Sequence, residues 1–81
     1  MKKTIHDSDY KNVLALVRSF RENKGITQAQ LAKKLGFDQT FISKIETGER
    51  RMDVIELRRI CLALDIDFIF FIKQMEKLIK K

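Results

Sequence analysis

Apolar residues recur along the chain at steps of three and four, which is the spacing of an α-helix with one buried face. The first such stretch starts near Ser8 or Asp9 and stops before Gly25. Its apolar face consists of Tyr10, Val13, Leu14, Val17 and Phe20. No stretch alternates apolar and polar residues as a half-buried strand does, and the chain contains no proline. The pattern therefore predicts an all-α fold.

Four shorter helices are predicted after the first, because residues that cap helix N-termini precede each later apolar stretch. Thr27 and Asp53 each stand three residues before a glutamine or glutamate, the spacing of a capping box. Asp38 is the N-cap candidate between them, and Asp65 or Asp67 would precede the last helix.

Glycines mark the expected helix ends, at Gly25, Gly36 and Gly48. The chain is expected to begin with a loose polar arm over residues 1–7, followed by a helix-turn-helix domain over residues 8–66. The last helix is expected from about Phe68 to Lys80. The core residues expected on the second to fourth helices are Leu31, Leu35, Phe41, Ile42, Ile45, Val54, Leu57, Ile60, Cys61 and Leu64.

Composition narrows the possible partners. The 81 residues suffice for one domain, and 44% hydrophobic with 35% charged residues is an ordinary globular mixture. A formal net charge of +6 favours a polyanionic partner, either nucleic acid or an acidic membrane surface. With Cys61 and His6 as the only residues of their kind, we expect no disulfide within the chain, no metal site and no cofactor. The longest apolar run, residues 68–72, is too short to cross a bilayer, so a cytoplasmic protein is expected.

Two short helices joined by a glycine turn, Thr27–Leu35 and Asp38–Thr47, have the arrangement that a helix-turn-helix requires. The residues here resemble the phage-repressor/Cro (XRE-like) helix-turn-helix family. The matching segments are Thr27-Gln28-Ala29-Gln30-Leu31-Ala32, Leu35-Gly36, Gln39, Ile42-Ser43 and Glu46-Thr47-Gly48. The resemblance covers about residues 10–66 and implies a five-helix domain that binds operator DNA, usually as a dimer on a near-palindromic site.

The resemblance also implies roles for single residues of the motif. Gln28 matches a glutamine that holds a DNA phosphate, and Gln39 matches a residue that contacts a base edge. A glutamine amide suits bidentate pairing with adenine. Thr40, Ser43 and Lys44 take the remaining positions that face the groove. The competing interpretation is that these are solvated surface residues, and for Lys44 base contact and phosphate contact are both open.

Further residues of the resemblance lie outside the two helices. Arg21 and Glu46 match a structural ion pair that ties the first helix to the third. Arg50 and Arg51 fall in the loop that runs along the DNA backbone, where they would neutralise phosphates. The alternative for both arginines is a solvated loop.

The last predicted helix is apolar over more of its surface than one core contact buries. A homodimer interface explains this, with contact residues Phe68, Phe71, Ile72, Met75 and Ile79. One alternative is that the helix closes the core of a monomer. Another is a membrane surface that attracts the basic C-terminal residues, which would leave the helix-turn-helix without a purpose.

We therefore expect a transcriptional regulator that binds double-stranded DNA sequence-specifically, as a homodimer on an inverted-repeat operator. It resembles a restriction-modification controller or a small repressor, with no small-molecule ligand and no membrane partner. The alternative is an antitoxin-type interaction module that masks a toxin through its apolar C-terminal helix and autoregulates its operon. No pairing of a nucleophile with a base is apparent, so enzymatic activity is not expected.

Overall fold

The computed structural model describes the backbone of residues 3–79 and the side chains of residues 8–79. Within this part of the chain all regular secondary structure is helical, which confirms the all-α prediction. The helices are α1 (Lys3–Asn23), α2 (Gln28–Leu35), α3 (Gln39–Thr47), α4 (Val54–Ala63) and α5 (Phe68–Ile79). Lys80, the expected end of the last helix, lies outside the described residues.

The first helix is longer than its apolar face predicts. It starts at Lys3, so the predicted start near Ser8 or Asp9 is wrong, and residues 3–7 continue the helix instead of forming a loose arm. Neither glycine nor proline occurs between Lys3 and Asn23, so nothing in the local backbone chemistry stops the helix there.

The predicted N-caps are present at the later helices. Thr27 and Asp53 each form a complete capping box, in which side chain and backbone exchange hydrogen bonds with the residue three positions on. Asp38 and Asp67 cap α3 and α5, each accepting a hydrogen bond from the backbone N–H three residues later. Of the two candidates before α5, Asp67 is therefore the cap, whereas Asp65 adopts a left-handed turn conformation (φ 59°).

The five helices bury one apolar cluster. Helix α1 packs on α3 and α5, α2 packs on α3 and α4, and α4 packs on α5. Val54 was expected in this core but is 62% exposed. It is the first residue of α4, and Cα–Cβ bonds tilt toward a helix N-terminus, so its side chain extends beyond the packed part of α4. The buried apolar residues are Val13, Leu14, Val17, Leu31, Ala32, Ile42, Ile45, Leu57, Ile60, Cys61, Leu64, Ile66 and Phe71.

Helix α5 turns most of its predicted interface stripe toward its own chain. Phe71 is only 1% exposed and its ring centroid lies 5.7 Å from that of Phe20, so the prediction that Phe71 forms a dimer interface is wrong. Because α5 is apolar around most of its circumference, periodicity could not tell its core face from its outer face. The other four predicted interface residues are half-buried against the same core, namely Phe68, Ile72, Met75 and Ile79.

Apolar side chains also cover the outer side of α5. Ile69 is 59% exposed, Phe70 47% and Leu78 48%, and we call these three residues the α5 patch. The ring of Phe70 forms an edge-to-face contact with Phe20, with the centroids 6.1 Å apart. The apolar surface that a partner could cover is therefore displaced around the helix from the predicted stripe.

Candidate nucleic-acid interface

The turn between α2 and α3 fixes how the two helices meet. Gly36 has a left-handed backbone (φ 81°), and its N–H donates to the carbonyls of Ala32 and Lys33, which closes α2. Asp38 begins α3 two residues later. Ala32 and Ile42 are each 1% exposed, so both helices are anchored in the core on either side of the turn.

Helix α3 has one buried face and one polar outer face. Ile42 and Ile45 are buried. The four residues predicted to contact bases lie together on the other face, with Ser43 half-buried and the rest exposed; they are Gln39, Thr40, Ser43 and Lys44. The last three follow Gln39 by one, four and five residues. At these spacings all four side chains occupy one continuous surface of the helix.

A chain of two glutamine amides and one carboxylate connects the start of α2 with both ends of α3. Gln28 Nε2 donates to Glu46 Oε1 at 2.9 Å. Gln39 Nε2 donates in turn to Gln28 Oε1 at 3.3 Å. The predicted phosphate contact and the leading predicted base contact are therefore neighbours that share a hydrogen bond.

Glu46 is held from the core side by Arg21. Arg21 Nε donates to Glu46 Oε2 at 2.6 Å, and Nη2 donates to Oε1 at 3.0 Å. The two side chains are only 7% and 3% exposed, and Nη1 of Arg21 also donates to the carbonyl of Ile26 at 2.8 Å. The hydrogen bonds from Arg21 to Glu46 raise the pKa of Arg21, against the opposing effect of desolvation. The pair connects α1, the α1–α2 loop and α3.

The loop between α3 and α4 contains the two arginines predicted to bind phosphates. Arg50 forms a bidentate pair with Glu56, with its Nη1 and Nη2 at 3.0 and 2.9 Å from the two carboxylate oxygens. Its guanidinium also lies 4.6 Å above the ring of Phe41. Arg50 therefore braces the loop against α3 and α4 whether or not it meets a phosphate.

Arg51 is positioned differently. It is exposed, and its guanidinium carbon lies over the ring of Tyr10, 4.3 Å from the ring centroid. The hydroxyl of Tyr10 accepts a hydrogen bond from the backbone N–H of Met52 at 2.9 Å, which ties the loop to α1. The N–H groups of an exposed guanidinium beside a ring suit phosphate oxygens.

The Arg50–Glu56 pair makes stability depend on pH in a defined direction. The hydrogen bonds from Arg50 hold the pKa of Glu56 below its ordinary value of 4.5. A carboxyl whose pKa is lower in the folded state stabilises the fold above its unfolded pKa, and this contribution is lost as the pH falls through the folded pKa. We expect Glu56→Gln, which keeps a capping-box acceptor, to lower the Tm at neutral pH. The difference from the wild type should close as the pH falls below the ordinary glutamate pKa of 4.5, because Glu56 then becomes protonated in the folded state as well.

Thermal unfolding of both proteins across this pH range provides the measurement. A Tm difference that stays constant in acid would show that the charge of Glu56 contributes nothing.

Several connections of this site do not follow from the sequence patterns, among them Arg50–Glu56 and Gln28–Glu46. The pairing of Arg50 with Glu56 is hidden because the capping box already accounts for Glu56. The contact of Gln28 with Glu46 joins residues of different helices, which helical periodicity does not relate. A carboxylate six residues after the arginine, at the start of the next helix, is the signal that could have found the first.

Other chemistry is sparse in the described part of the chain. No group of three or more histidine, cysteine, aspartate or glutamate residues there is placed to hold a metal ion. Burial raises the pKa of the Cys61 thiol to about 11, so it remains protonated. None of the helices described combines the length and the apolar character needed to cross a membrane.

Comparison with known proteins agrees with this geometry. A family model described as helix-turn-helix matches residues 17–71. The chain belongs to this helix-turn-helix family. The match includes α2, the turn, α3, α4 and the first part of α5.

Solved structures of this family superpose on nearly the whole chain. An XRE-family-like protein from Pseudomonas syringae pv. tomato is 41% identical, with a TM-score of 0.88 and coverage of 94% of this chain and 93% of that one. The restriction-modification controller protein C.Esp1396I, as a tetramer in complex with its natural 35 base-pair operator, is 32% identical. Its TM-score is 0.80, and the match covers 90% of this chain and 96% of that one. The predicted XRE-like resemblance is confirmed.

A phage protein gives a partial match. The ImmF control region 10 kDa protein of Bacillus phage phi105 is 34% identical over 59 residues, which is 73% of this chain. The chain spans 66% of that relative's length, just under two thirds.

Proposed function

We propose that this protein is a transcriptional regulator that binds double-stranded DNA in a sequence-dependent manner through α2 and α3. The observation that carries the proposal is the polar outer face of α3, whose opposite face is locked into the core. Such a helix can enter a major groove as a rigid element, with Gln39 at its N-terminal end. The operator complex of the similar controller protein supports the same use of the fold.

Within this proposal the surface residues divide into two tasks. Gln39, Thr40, Ser43 and Lys44 read base edges, because they share the outer face of α3. Gln28 and Arg51 hold phosphates at either side, and Arg50 contributes positive charge while it remains paired with Glu56. The formal net charge of +6 adds attraction that does not depend on sequence.

We further propose that two copies act together on an inverted repeat, as in a restriction-modification controller or a small repressor. The α5 patch supplies exposed apolar surface, and Phe68, Ile72, Met75 and Ile79 border it as half-buried residues. A two-fold dimer places two identical α3 helices at matched half-sites, which is why a near-palindromic site suits it.

Binding to duplex DNA at rising salt tests this function. A duplex selected from a random pool should bind more tightly than a permuted duplex of the same composition. The logarithm of affinity for both should fall linearly with the logarithm of salt concentration, with a slope of about −0.9 for each phosphate neutralised. Arg51→Ala should reduce the slope by about one without changing the preferred sequence. Equal affinity for selected and permuted duplexes would contradict sequence-dependent binding.

A further inference from the structure

We infer that Glu46 is a positioning residue for base recognition: acting through Gln28, it sets which end of the Gln39 amide faces the DNA. The inference rests on the proposed function, in which Gln39 meets a base edge. It assigns to the buried ion pair a role in specificity in addition to its role in holding α1 and α3 together.

The carboxylate of Glu46 fixes the donor-to-acceptor direction of the hydrogen bonds that link it to Gln28 and Gln39. An ionised carboxylate accepts hydrogen bonds and donates none. As a carboxylate, Glu46 accepts two hydrogen bonds from Arg21 inside the core. Gln28 can therefore approach Glu46 only with its NH₂ group, which is the arrangement seen at 2.9 Å.

The orientation then passes to Gln39. With its NH₂ turned toward Glu46, Gln28 offers its carbonyl oxygen to Gln39, which must answer with a donor. Gln39 is thereby left with its own carbonyl oxygen and one N–H for a ligand. Adenine presents the complementary pair in the major groove, an N6–H donor beside the N7 acceptor. The free protein thus holds Gln39 in the orientation that reads adenine.

The side chain of Glu46, at the buried end of these hydrogen bonds, does not rotate easily. Glu46 is 3% exposed at its side chain, and among the described residues no buried side-chain nitrogen or oxygen lacks a hydrogen-bond partner. Reversing either glutamine would set two acceptors or two donors against each other. An amide with no such tether would instead present either end with little cost.

Replacing both members of the ion pair, as in Arg21→Met/Glu46→Met, tests the inference because it removes the carboxylate without leaving Arg21 buried and unpaired. A buried ion pair can often be exchanged for apolar side chains of similar volume at little cost in stability. Gln28 then has no carboxylate to accept a hydrogen bond from its NH₂ group, so neither glutamine amide is held in one orientation. Gln39 can then also present two N–H donors, which match the O6 and N7 acceptors of guanine.

Selection from a random duplex pool, followed by titration of single-base variants, supplies the readout. Gln39→Ala first identifies the base pair that Gln39 reads. At that pair the wild type should prefer adenine to guanine by about tenfold. The double variant should abolish or strongly reduce this preference and leave the other positions unchanged. If Glu46 only stabilises the fold, the variant will rank all duplexes as the wild type does, and the inference fails.

A further variant decides the matter if Arg21→Met/Glu46→Met does not fold. Gln28→Met keeps the length of the side chain and the ion pair but removes the amide between Glu46 and Gln39. We expect it to weaken all duplexes through the lost phosphate contact and, in addition, to erase discrimination at the Gln39 base pair alone. Retained discrimination there would overturn the inference. A wild type that selects no sequence would instead contradict the proposed function itself.

Discussion

Replacing Arg21 with alanine is expected to destabilise the fold by about 3–5 kcal/mol, because the substitution leaves the carboxylate of Glu46 buried without its counter-charge. Both side chains of the pair are almost inaccessible to solvent. The substitution also removes the donor that satisfies the carbonyl of Ile26. A loss of this size is comparable to the whole stability of many small domains.

Arg18→Ala is the matched control for this measurement. Arg18 lies on the same helix and pairs with Glu22 at 3.1 Å, but their side chains are 62% and 55% exposed. Exposed pairs contribute only about 0–1 kcal/mol. Urea denaturation followed by circular dichroism should therefore separate the two variants clearly. Similar losses for Arg18→Ala and Arg21→Ala would show that burial of the Arg21–Glu46 pair has no energetic consequence.

Replacing Phe71 with alanine is expected to cost about 3–5 kcal/mol, since a buried aromatic ring is lost and a cavity remains beside Phe20. Ile69→Lys is the matched control on the same helix, at a residue that is 59% exposed. It should leave the fold of the single chain intact and abolish self-association through the α5 patch.

Denaturation together with light scattering after size-exclusion chromatography checks both halves of this expectation. A stable Phe71→Ala variant would contradict the placement of Phe71 in the core. A wild type that is monomeric at all concentrations would contradict the homodimer, and the α5 patch would then remain open to a different protein.

The features that could be predicted from sequence are those with local causes. The capping boxes at Thr27 and Asp53 depend on residues three positions apart, and the glycine turn at Gly36 depends on the backbone of one residue. The start of α1 could not be located, because the preceding residues contain nothing that stops a helix.

In the candidate site, too, features with local causes could be predicted and those that depend on contacts between helices could not. The outer face of α3 follows from helical periodicity, so the grouping of Gln39 with Ser43 and Lys44 could be predicted. The hydrogen bonds that orient Gln39 could not, because they join residues 11 and 18 positions apart on different helices. The burial of Phe71 could not be predicted either, because a helix that is apolar around most of its circumference has no unique inward face.

The anchoring of the loop between α3 and α4 affects the entropy change on DNA binding. Contacts with Tyr10, Phe41 and Glu56 attach it to three separate helices. Much of the conformational entropy that a mobile loop would lose upon complex formation has therefore already been lost in folding. For a DNA ligand, docking on this loop becomes the meeting of two preformed surfaces, and the entropic penalty of association is reduced accordingly.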